Sequence, residues 1–243
     1  MKILSIGNSF SEDAQRYLHR IAESDGVELY TVNLCIGGCP LELHANNIKS
    51  GDKAYTFQEN GIITERLVSI EEIISSEDWD IVTIQQVSVL SFIKESYYPY
   101  VREVAQFIRE RAPRAKLVFQ ETWAYEDGCD RLEEIRGDRR AETMYRELKE
   151  AYLLAKKEVC ADGMIPSGDL FELMRQRGIG GLYRDTFHAS LGLGRYAIAL
   201  LWYHVLTGAD VAGNSFRDFD EAVSESDISE VKACVMEFAP IFD

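Results

Sequence analysis

The sequence predicts an α/β protein in which a mainly parallel sheet of about five strands carries helices on both faces. Apolar runs of strand length alternate with segments of helical periodicity, and strands separated by helices form βαβ units. The run Ile81–Ile84 lacks clean alternation, as is typical of strands buried on both faces. Since no repeat, low-complexity tract or Pro/Gly-rich linker divides the chain, residues 1–243 are expected to form a single domain.

The elements follow from these patterns in chain order. The first strand is predicted because Ile3, Leu4 and Ile6 form a short apolar run, and the last helix because Leu191–Thr207 is apolar nearly all round, with Gly208 as its stop. The predicted strands are Lys2–Ile6, Glu28–Leu34, Ile81–Gln85, Lys116–Gln120 and Gly163–Ile165. The predicted helices are Glu12–Ser24, Ile63–Ser75, Tyr97–Ala112, Arg140–Val159, Ser167–Arg177 and Leu191–Thr207.

Two polar segments do not fit a minimal alternation of strands and helices. Pro40–Gly61 and Ala124–Asp138 read as long irregular stretches, and each follows a predicted strand. Ligands of open parallel sheets bind beyond the carboxyl ends of the strands, and long loops there are commonly functional. Both segments are therefore expected near a site.

Composition excludes several classes of function. The formal net charge of −15 argues against nucleic acid or an anionic membrane surface as partner, because phosphate binding needs clustered cations. No segment approaches the roughly 20 apolar residues that span a bilayer. The start does not read as a signal peptide, since Lys2 is the only early cation and Gly7 interrupts the apolar run, so a cytoplasmic location is expected.

The five cysteines are odd in number and scattered, so neither a disulfide framework nor a metal site is predicted. Cys35 and Cys39 do not form a CxxC pair. Reduced thiols with a structural role are the expectation.

The first strand stops at Gly7-Asn8-Ser9, before a helix. A serine at such a corner can cap the helix, bind an anion or act as a nucleophile. The segment does not match the phosphate-binding pattern GxxxxGK[ST]. A nucleophilic serine needs a base and a group that orients the base. Asp185 and His188, three residues apart ahead of the last predicted helix, are candidates for those roles; a capping pair is the alternative.

Two further fragments follow predicted strands. Gly37-Gly38 could bring a backbone N–H close to a ligand or form a plain tight turn. Gln85-Gln86 places two amides at a strand end, where each offers a side-chain donor.

Taken in order, these fragments resemble the four sequence blocks of the SGNH/GDSL hydrolase superfamily. ILSIGNSFS resembles the first block, IGGCPLE the second, IVTIQQVS the third and DTFH the DxxH of the last. Two departures are visible: Asn8 replaces the aspartate of GDS, and the asparagine of the third block is missing.

The resemblance implies a flavodoxin-like three-layer α/β/α sandwich and a serine esterase that needs no metal or cofactor. Ser9 would be the nucleophile, His188 the base and Asp185 the group that orients it. The N–H groups of Ser9 and Gly38 would stabilise the oxyanion, with Gly37 as the alternative to Gly38. Gln86 would take the place of the missing asparagine, with Gln85 as its rival.

The substrate is expected to be a small acyl ester, with an acetyl group on a carbohydrate as the favoured case. Trp123 and Tyr125 follow the fourth predicted strand and could stack on a sugar ring, while His44 lies in a polar stretch near the expected site. A catalytically idle carbohydrate- or anion-binding module of the same fold is the alternative function. A metal-dependent phosphate-ester hydrolase is a further one.

Overall fold

The structure is a computed structural model that describes residues 1–242, and a seven-stranded sheet forms its centre. The strands are β1 (Lys2–Gly7), β2 (Tyr30–Cys35), β3 (Tyr55–Glu59), β4 (Ile62–Val68), β5 (Ile81–Ile84), β6 (Lys116–Gln120) and β7 (Gly163–Ile165). Their order across the sheet is β4-β3-β2-β1-β5-β6-β7. The neighbouring pairs among β2, β1, β5, β6 and β7 are all parallel. β3 is antiparallel to both of its neighbours, β2 and β4.

The helices occupy both faces of this sheet. They are α1 (Ser9–Gln15), α2 (Leu18–Ser24), α3 (Leu41–Ser50), α4 (Ile70–Ile74), α5 (Tyr100–Arg111), α6 (Asp130–Arg136), α7 (Ala141–Glu158), α8 (Ser167–Gln176), α9 (Leu193–Thr207) and α10 (Glu225–Val235). α1, α2, α8 and α10 pack around α9, and α3 and α4 pack against α5. The predicted three-layer α/β/α architecture with a mainly parallel sheet is confirmed.

The sheet has two more strands than predicted, and both belong to an edge hairpin. β3 and β4 are joined by Asn60 and Gly61, whose φ values are +50° and +77°. An Asn-Gly pair with positive φ at both positions favours a two-residue hairpin turn, since its twist matches that of the strands. The prediction of a helix over Ile63–Ser75 is therefore wrong: β4 takes its first half, and Ser69 caps the short α4 that follows.

Both segments predicted to be irregular contain regular structure. Pro40–Gly61 contains α3 and β3, and Ala124–Asp138 contains the whole of α6. The predicted helix Glu12–Ser24 starts earlier, at Ser9, and is divided into α1 and α2. α10 was not predicted.

α9 is buried along most of its length, as its apolar sequence predicts. Gly208 ends it at a φ of +73° and donates its N–H to the carbonyl of His204 at 2.8 Å. Within residues 1–242, no helix is both long and apolar enough to cross a membrane.

The hairpin turn lies directly against α1, which makes Gly61 difficult to replace. A Cβ at Gly61 would lie 2.4 Å from the carbonyl oxygen of Arg16, in addition to the strain of its positive φ. Gly61→Ala is expected to lower the free energy of unfolding by more than about 2 kcal/mol, as measured in urea. Gly178→Ala is the matched control, because Gly178 has a φ of +75° but open space around its Cβ position. Equal losses in the two variants would contradict the contact.

One carboxyl group in the core has an unusual environment. Glu121 follows β6, is fully buried, and accepts a hydrogen bond from the Asp169 N–H at 3.1 Å. Its second oxygen has no partner within residues 1–242. Burial, together with the nearby Asp169 carboxylate, raises the pKa of Glu121 to about 8. A carboxyl group with this pKa keeps its proton in the folded protein at neutral pH.

This raised pKa predicts a pH-dependent stability. In the unfolded chain Glu121 loses its proton near pH 4.5, whereas the folded protein keeps it to about pH 8. The folded state binds more protons across this window, so the free energy of unfolding falls as pH rises through it. Glu121→Gln is expected to flatten that fall in urea denaturation at a series of pH values. Glu150→Gln on the exposed face of α7 should keep the wild-type profile. An unchanged slope in Glu121→Gln would contradict the assignment.

Candidate active site

The corner between β1 and α1 is fixed by a cap that leaves Ser9 free. Asn8 is the N-cap, and its Oδ1 accepts the N–H of Phe10 at 3.0 Å. The Asn8 N–H donates to Ser11 Oγ at 3.1 Å, which completes a reciprocal capping box. A Cβ at Gly7 would lie 2.3 Å from that same oxygen, so the corner requires glycine. Ser9 is therefore the first residue of the helix and does not serve as its cap.

The structure brings the three residues of the predicted triad together. His188 Nε2 lies 2.9 Å from Ser9 Oγ, and His188 Nδ1 lies 2.7 Å from Asp185 Oδ2. We assign the proton to Nδ1, because a carboxylate accepts there and Nε2 is then free to accept from the serine hydroxyl. Residues from distant parts of the chain thus form one continuous chain of hydrogen bonds, from Ser9 through His188 to Asp185.

Hydrogen bonds to backbone groups hold the loop that carries His188 in place. Asp185 Oδ1 accepts the His188 N–H at 2.9 Å. Burial acts to raise the pKa of Asp185, but hydrogen bonds from the His188 side chain and backbone outweigh it and lower that pKa. Thr186 has a φ of +71°, an uncommon conformation for a β-branched residue, and its carbonyl accepts the Glu126 N–H at 2.7 Å. The loop is therefore tied to the segment that follows β6.

A buried ion cluster anchors the same loop to α1. Asp13 is fully buried and accepts hydrogen bonds from Arg184 at 2.9 Å and from Arg195 at 2.8 Å. It also accepts the N–H of Ala189 at 3.2 Å, and the Arg184 N–H donates to the carbonyl of His188 at 3.1 Å. The helix that begins at Ser9 thus fixes the residues on both sides of His188.

The turn after β2 faces the same corner. The Cys39 N–H donates to the carbonyl of Ile36 at 3.2 Å, and Gly38 between them has a φ of +66°, as the third position of a type II turn requires. Asn8 Nδ2 donates to the Cys39 carbonyl at 3.1 Å. Within residues 1–242, neither the Ser9 nor the Gly38 N–H donates to another protein group, and both residues line the cavity described below.

The third predicted oxyanion donor is not in the site. Gln86 is fully buried; its Nε2 donates to the carbonyl and Oγ of Ser96, both at 3.0 Å, and its Oε1 accepts the Leu41 N–H. The rival, Gln85, donates to Asn8 Oδ1 at 2.5 Å. Both amides donate to groups outside the cavity, so the assignment of Gln86 to the oxyanion hole is corrected.

A cavity of about 350 Å³ opens beside Ser9 and His188. Apolar side chains form much of its wall, and the polar groups are few, as is typical of small-molecule sites. Its lining residues are Asn8, Ser9, Phe10, Gly37, Gly38, Val87, Ser88, Val89, Tyr125, Arg131, Phe187 and His188.

Of the three residues predicted to contact a substrate, only Tyr125 lines the cavity, although its side chain is fully buried as well. His44 is fully buried with Nδ1 2.9 Å from Tyr55 Oη, and burial lowers its pKa to about 3, which keeps the ring neutral. Trp123 is also fully buried and stacks between Phe10 and Phe171, at ring-centroid distances of 4.2 and 4.9 Å. His44 and Trp123 are packing residues, which corrects both predictions.

Among the cavity residues that sequence reasoning did not assign to the site are Ser88, Arg131 and Phe187. The Ser88 and Tyr125 hydroxyls lie 2.9 Å apart, and burial raises the pKa of Tyr125, so its phenol stays protonated. Arg131 lies on α6, within a segment that the sequence does place at the active edge of the sheet. Its position after a strand was the only available signal.

Three of the five cysteines, Cys35, Cys39 and Cys234, are buried. All five are free. Burial raises the pKa of both Cys35 and Cys39 to about 12, so neither thiol is reactive at neutral pH. Within residues 1–242, no three His, Cys, Asp or Glu side chains are grouped as metal ligands.

Comparison with known families gives one match over nearly the whole chain. The model of DUF4886, a domain of unknown function, matches residues 2–235. A DUF4886 family protein from Bacteroides uniformis is 32% identical in sequence, with a TM-score of 0.91 over 98% of this chain and 93% of that protein. No curated protein matches the sequence significantly.

Other solved structures share the fold and belong to SGNH or GDSL-like hydrolases. A candidate SGNH hydrolase from Slackia heliotrinireducens is 25% identical, with a TM-score of 0.58 over 82% of this chain and 95% of that one. Axe2, an acetylxylan esterase from Geobacillus stearothermophilus, is 17% identical, with a TM-score of 0.51 over 83% and 93% of the two chains. At that identity, the likeness to Axe2 concerns the fold alone.

The ion cluster around Asp13 predicts a large cost for removing its charge. Asp13→Asn leaves two guanidinium groups partly buried without their carboxylate, and we expect the free energy of unfolding in urea to fall by about 3 kcal/mol or more. Asp220→Asn is the control: Asp220 also pairs with Arg195, but its side chain is 26% exposed. We expect that variant to lose about 1 kcal/mol. A smaller loss for Asp13→Asn than for Asp220→Asn would contradict the anchoring role.

Proposed function

The chain belongs to the DUF4886 family, whose function is unknown, and from its site we propose that it is a serine-dependent esterase acting on small acyl esters. The observation that carries the proposal is the series from Ser9 Oγ through the His188 imidazole to the Asp185 carboxylate, at the edge of a cavity. A hydroxyl, a base and a group that orients the base are the parts that nucleophilic serine catalysis needs.

In the proposed mechanism, His188 Nε2 takes the proton of Ser9 Oγ as that oxygen attacks the ester carbonyl. Asp185 holds the imidazole through Nδ1 and stabilises its positive charge. The negative charge on the tetrahedral oxygen is stabilised by the N–H groups of Ser9 and Gly38, at a helix start where the dipole also favours an anion. His188 then protonates the leaving alcohol, and a water activated by the same base releases the acyl group from Ser9.

The third oxyanion donor differs from the Gln86 amide that the sequence suggests. Since the Gln86 amide is occupied elsewhere, the polar residues that line the cavity on this side are Ser88 and Tyr125, whose hydroxyls lie 2.9 Å apart. We assign them to substrate contact and assistance of the oxyanion.

The proposed substrate is a small acyl ester of a carbohydrate, with acetyl as the proposed acyl group. A cavity of about 350 Å³ with a largely apolar wall, which includes Tyr125, suits a small molecule. That proteins of this fold include an acetylxylan esterase is consistent with this assignment.

The other function the site could have is a binding module without catalysis. Ser9 would then only help to bind an anion at the start of α1. A chain of hydrogen bonds from serine through histidine to carboxylate has no role in such a module, which is why we favour the esterase.

Substitution of the nucleophile tests the proposal. Ser9→Ala is expected to lower kcat for p-nitrophenyl acetate by a factor on the order of 10⁴ or more, since no other hydroxyl can take its place in the triad. His188→Ala should lose a similar factor. A fluorophosphonate probe should label the wild-type protein, and the label should be lost in both variants.

Ser226→Ala is the matched control, because Ser226 is exposed on α10, far along the chain from the site. It should keep both the hydrolysis and the label. Hydrolysis that persists unchanged in Ser9→Ala would refute the esterase, and a wild-type protein that binds sugar esters without hydrolysing any would favour the binding module.

A further inference from the structure

One cation lies in the wall of the cavity, and the proposed mechanism does not use it. Arg131 is an exposed residue of α6 and lines the cavity beside Tyr125 and Phe187. Its guanidinium carbon lies 3.9 Å from the centroid of the Phe187 ring and 5.7 Å from that of Tyr125. Contact with two aromatic faces fixes the position of the Arg131 guanidinium, and its N–H groups can still donate hydrogen bonds to a ligand.

Arg131 has no carboxylate partner within residues 1–242, although acidic side chains are close to it in sequence. Its neighbour Asp130 pairs with Arg139 at 2.7 Å. Asp127 accepts the Ala141 N–H at 2.9 Å, and Glu126, Asp127 and Asp130 line an adjoining hollow with Arg131 without forming a salt bridge to it. In a chain with 41 acidic and 26 basic residues, a guanidinium at a site wall without an ion pair is available to a ligand.

Short contacts connect this charge to the reacting groups. The guanidinium lies against Phe187, whose ring centroid is 3.9 Å from that of His188. His188 in turn is hydrogen bonded to Ser9. Ser9 and Arg131 also line the same cavity, so a ligand whose ester carbonyl lies at Ser9 can extend toward Arg131.

We propose that Arg131 binds a carboxylate of the substrate, which makes the substrate an O-acylated acidic sugar of the uronic acid class; this deepens the proposed esterase function and rests on it. A guanidinium forms two parallel hydrogen bonds with a carboxylate. Arg131 is the only cation that lines the cavity within residues 1–242, and the chain carries a net charge of −15, so one negative charge on the ligand suits the site better than two. The aromatic and aliphatic wall accommodates the sugar ring.

The test compares two esters that differ only in this charge. One is mono-O-acetylated methyl glucuronoside, and the other is the same ester of methyl glucoside, which has a hydroxymethyl group in place of the carboxylate. The measured quantity is the ratio of kcat/KM for the acidic ester to kcat/KM for the neutral one. For the wild-type protein the ratio should be about 10 to 100, as one charge-assisted bidentate contact provides, and the difference should lie mainly in KM.

Arg131→Met, which keeps an apolar stem against Phe187, should reduce this ratio about 10- to 100-fold. Arg131→Lys should give an intermediate ratio, because it keeps the charge without the planar fork. Arg146→Met is the control, since Arg146 is exposed on α7 and does not line the cavity; it should keep the wild-type ratio. A wild-type ratio of one or less, or equal losses on both esters in Arg131→Met, would overturn the proposal.

Binding of the unacetylated methyl glucuronoside, measured by calorimetry, tests the carboxylate contact without any chemistry. Arg131→Met should weaken it at least tenfold, and equal affinity for wild type and variant would overturn the proposal. Loss of p-nitrophenyl acetate hydrolysis in Ser9→Ala is independent of Arg131. The esterase assignment therefore stands or falls separately from the assignment of the carboxylate contact.

Discussion

The candidate site depends on a buried ion cluster that joins two distant parts of the chain. Ser9 and Asp13 are four residues apart on α1, so one helix carries both the hydroxyl and the carboxylate that anchors the His188 loop. Arg184 contacts Asp13 with its side chain and the His188 carbonyl with its backbone N–H. The cluster thus sets the distance between hydroxyl and imidazole together with Phe10 of α1, whose ring centroid lies 5.7 Å from that of His188.

Asn8 likewise joins separate parts of the chain, in this case the ends of three strands. Its side chain accepts from the backbone of α1 and from Gln85, and it donates to the carbonyl of Cys39. The ends of β1, β2 and β5, which are adjacent in the sheet, are thereby held at one point. A carboxylate at this position could accept but could not donate to that carbonyl. The amide therefore accounts for the departure from the aspartate of the related GDS motif, and it also explains why Gln85 faces the corner.

The sequence predicted the order of strands and helices well where burial produced a strong pattern, as in β1 and α9. It failed at the sheet edge, where the Asn60-Gly61 turn lies inside a polar segment and β4 leaves Ile63 exposed. Ser9, Asp185 and His188 could be found because their chemistry requires those residue types. The side-chain orientations of His44, Trp123 and Gln86 could not be predicted, because packing against elements far along the chain decides them. His44, for example, faces a tyrosine of β3, a strand that was not predicted.

The acidic character of the chain bears on how an anionic ligand would be recognised. At a net charge of −15 the protein repels an anion at long range, yet at physiological ionic strength charges more than about 8 Å apart are largely screened. A single cation at the cavity wall therefore acts at contact distance and does little to increase the rate of encounter. Selectivity of this kind depends on how firmly the cation is held. Phe187, which lies between Arg131 and His188, places the guanidinium relative to the base. The loop that Asp13 anchors thus sets both the triad and the position of this charge.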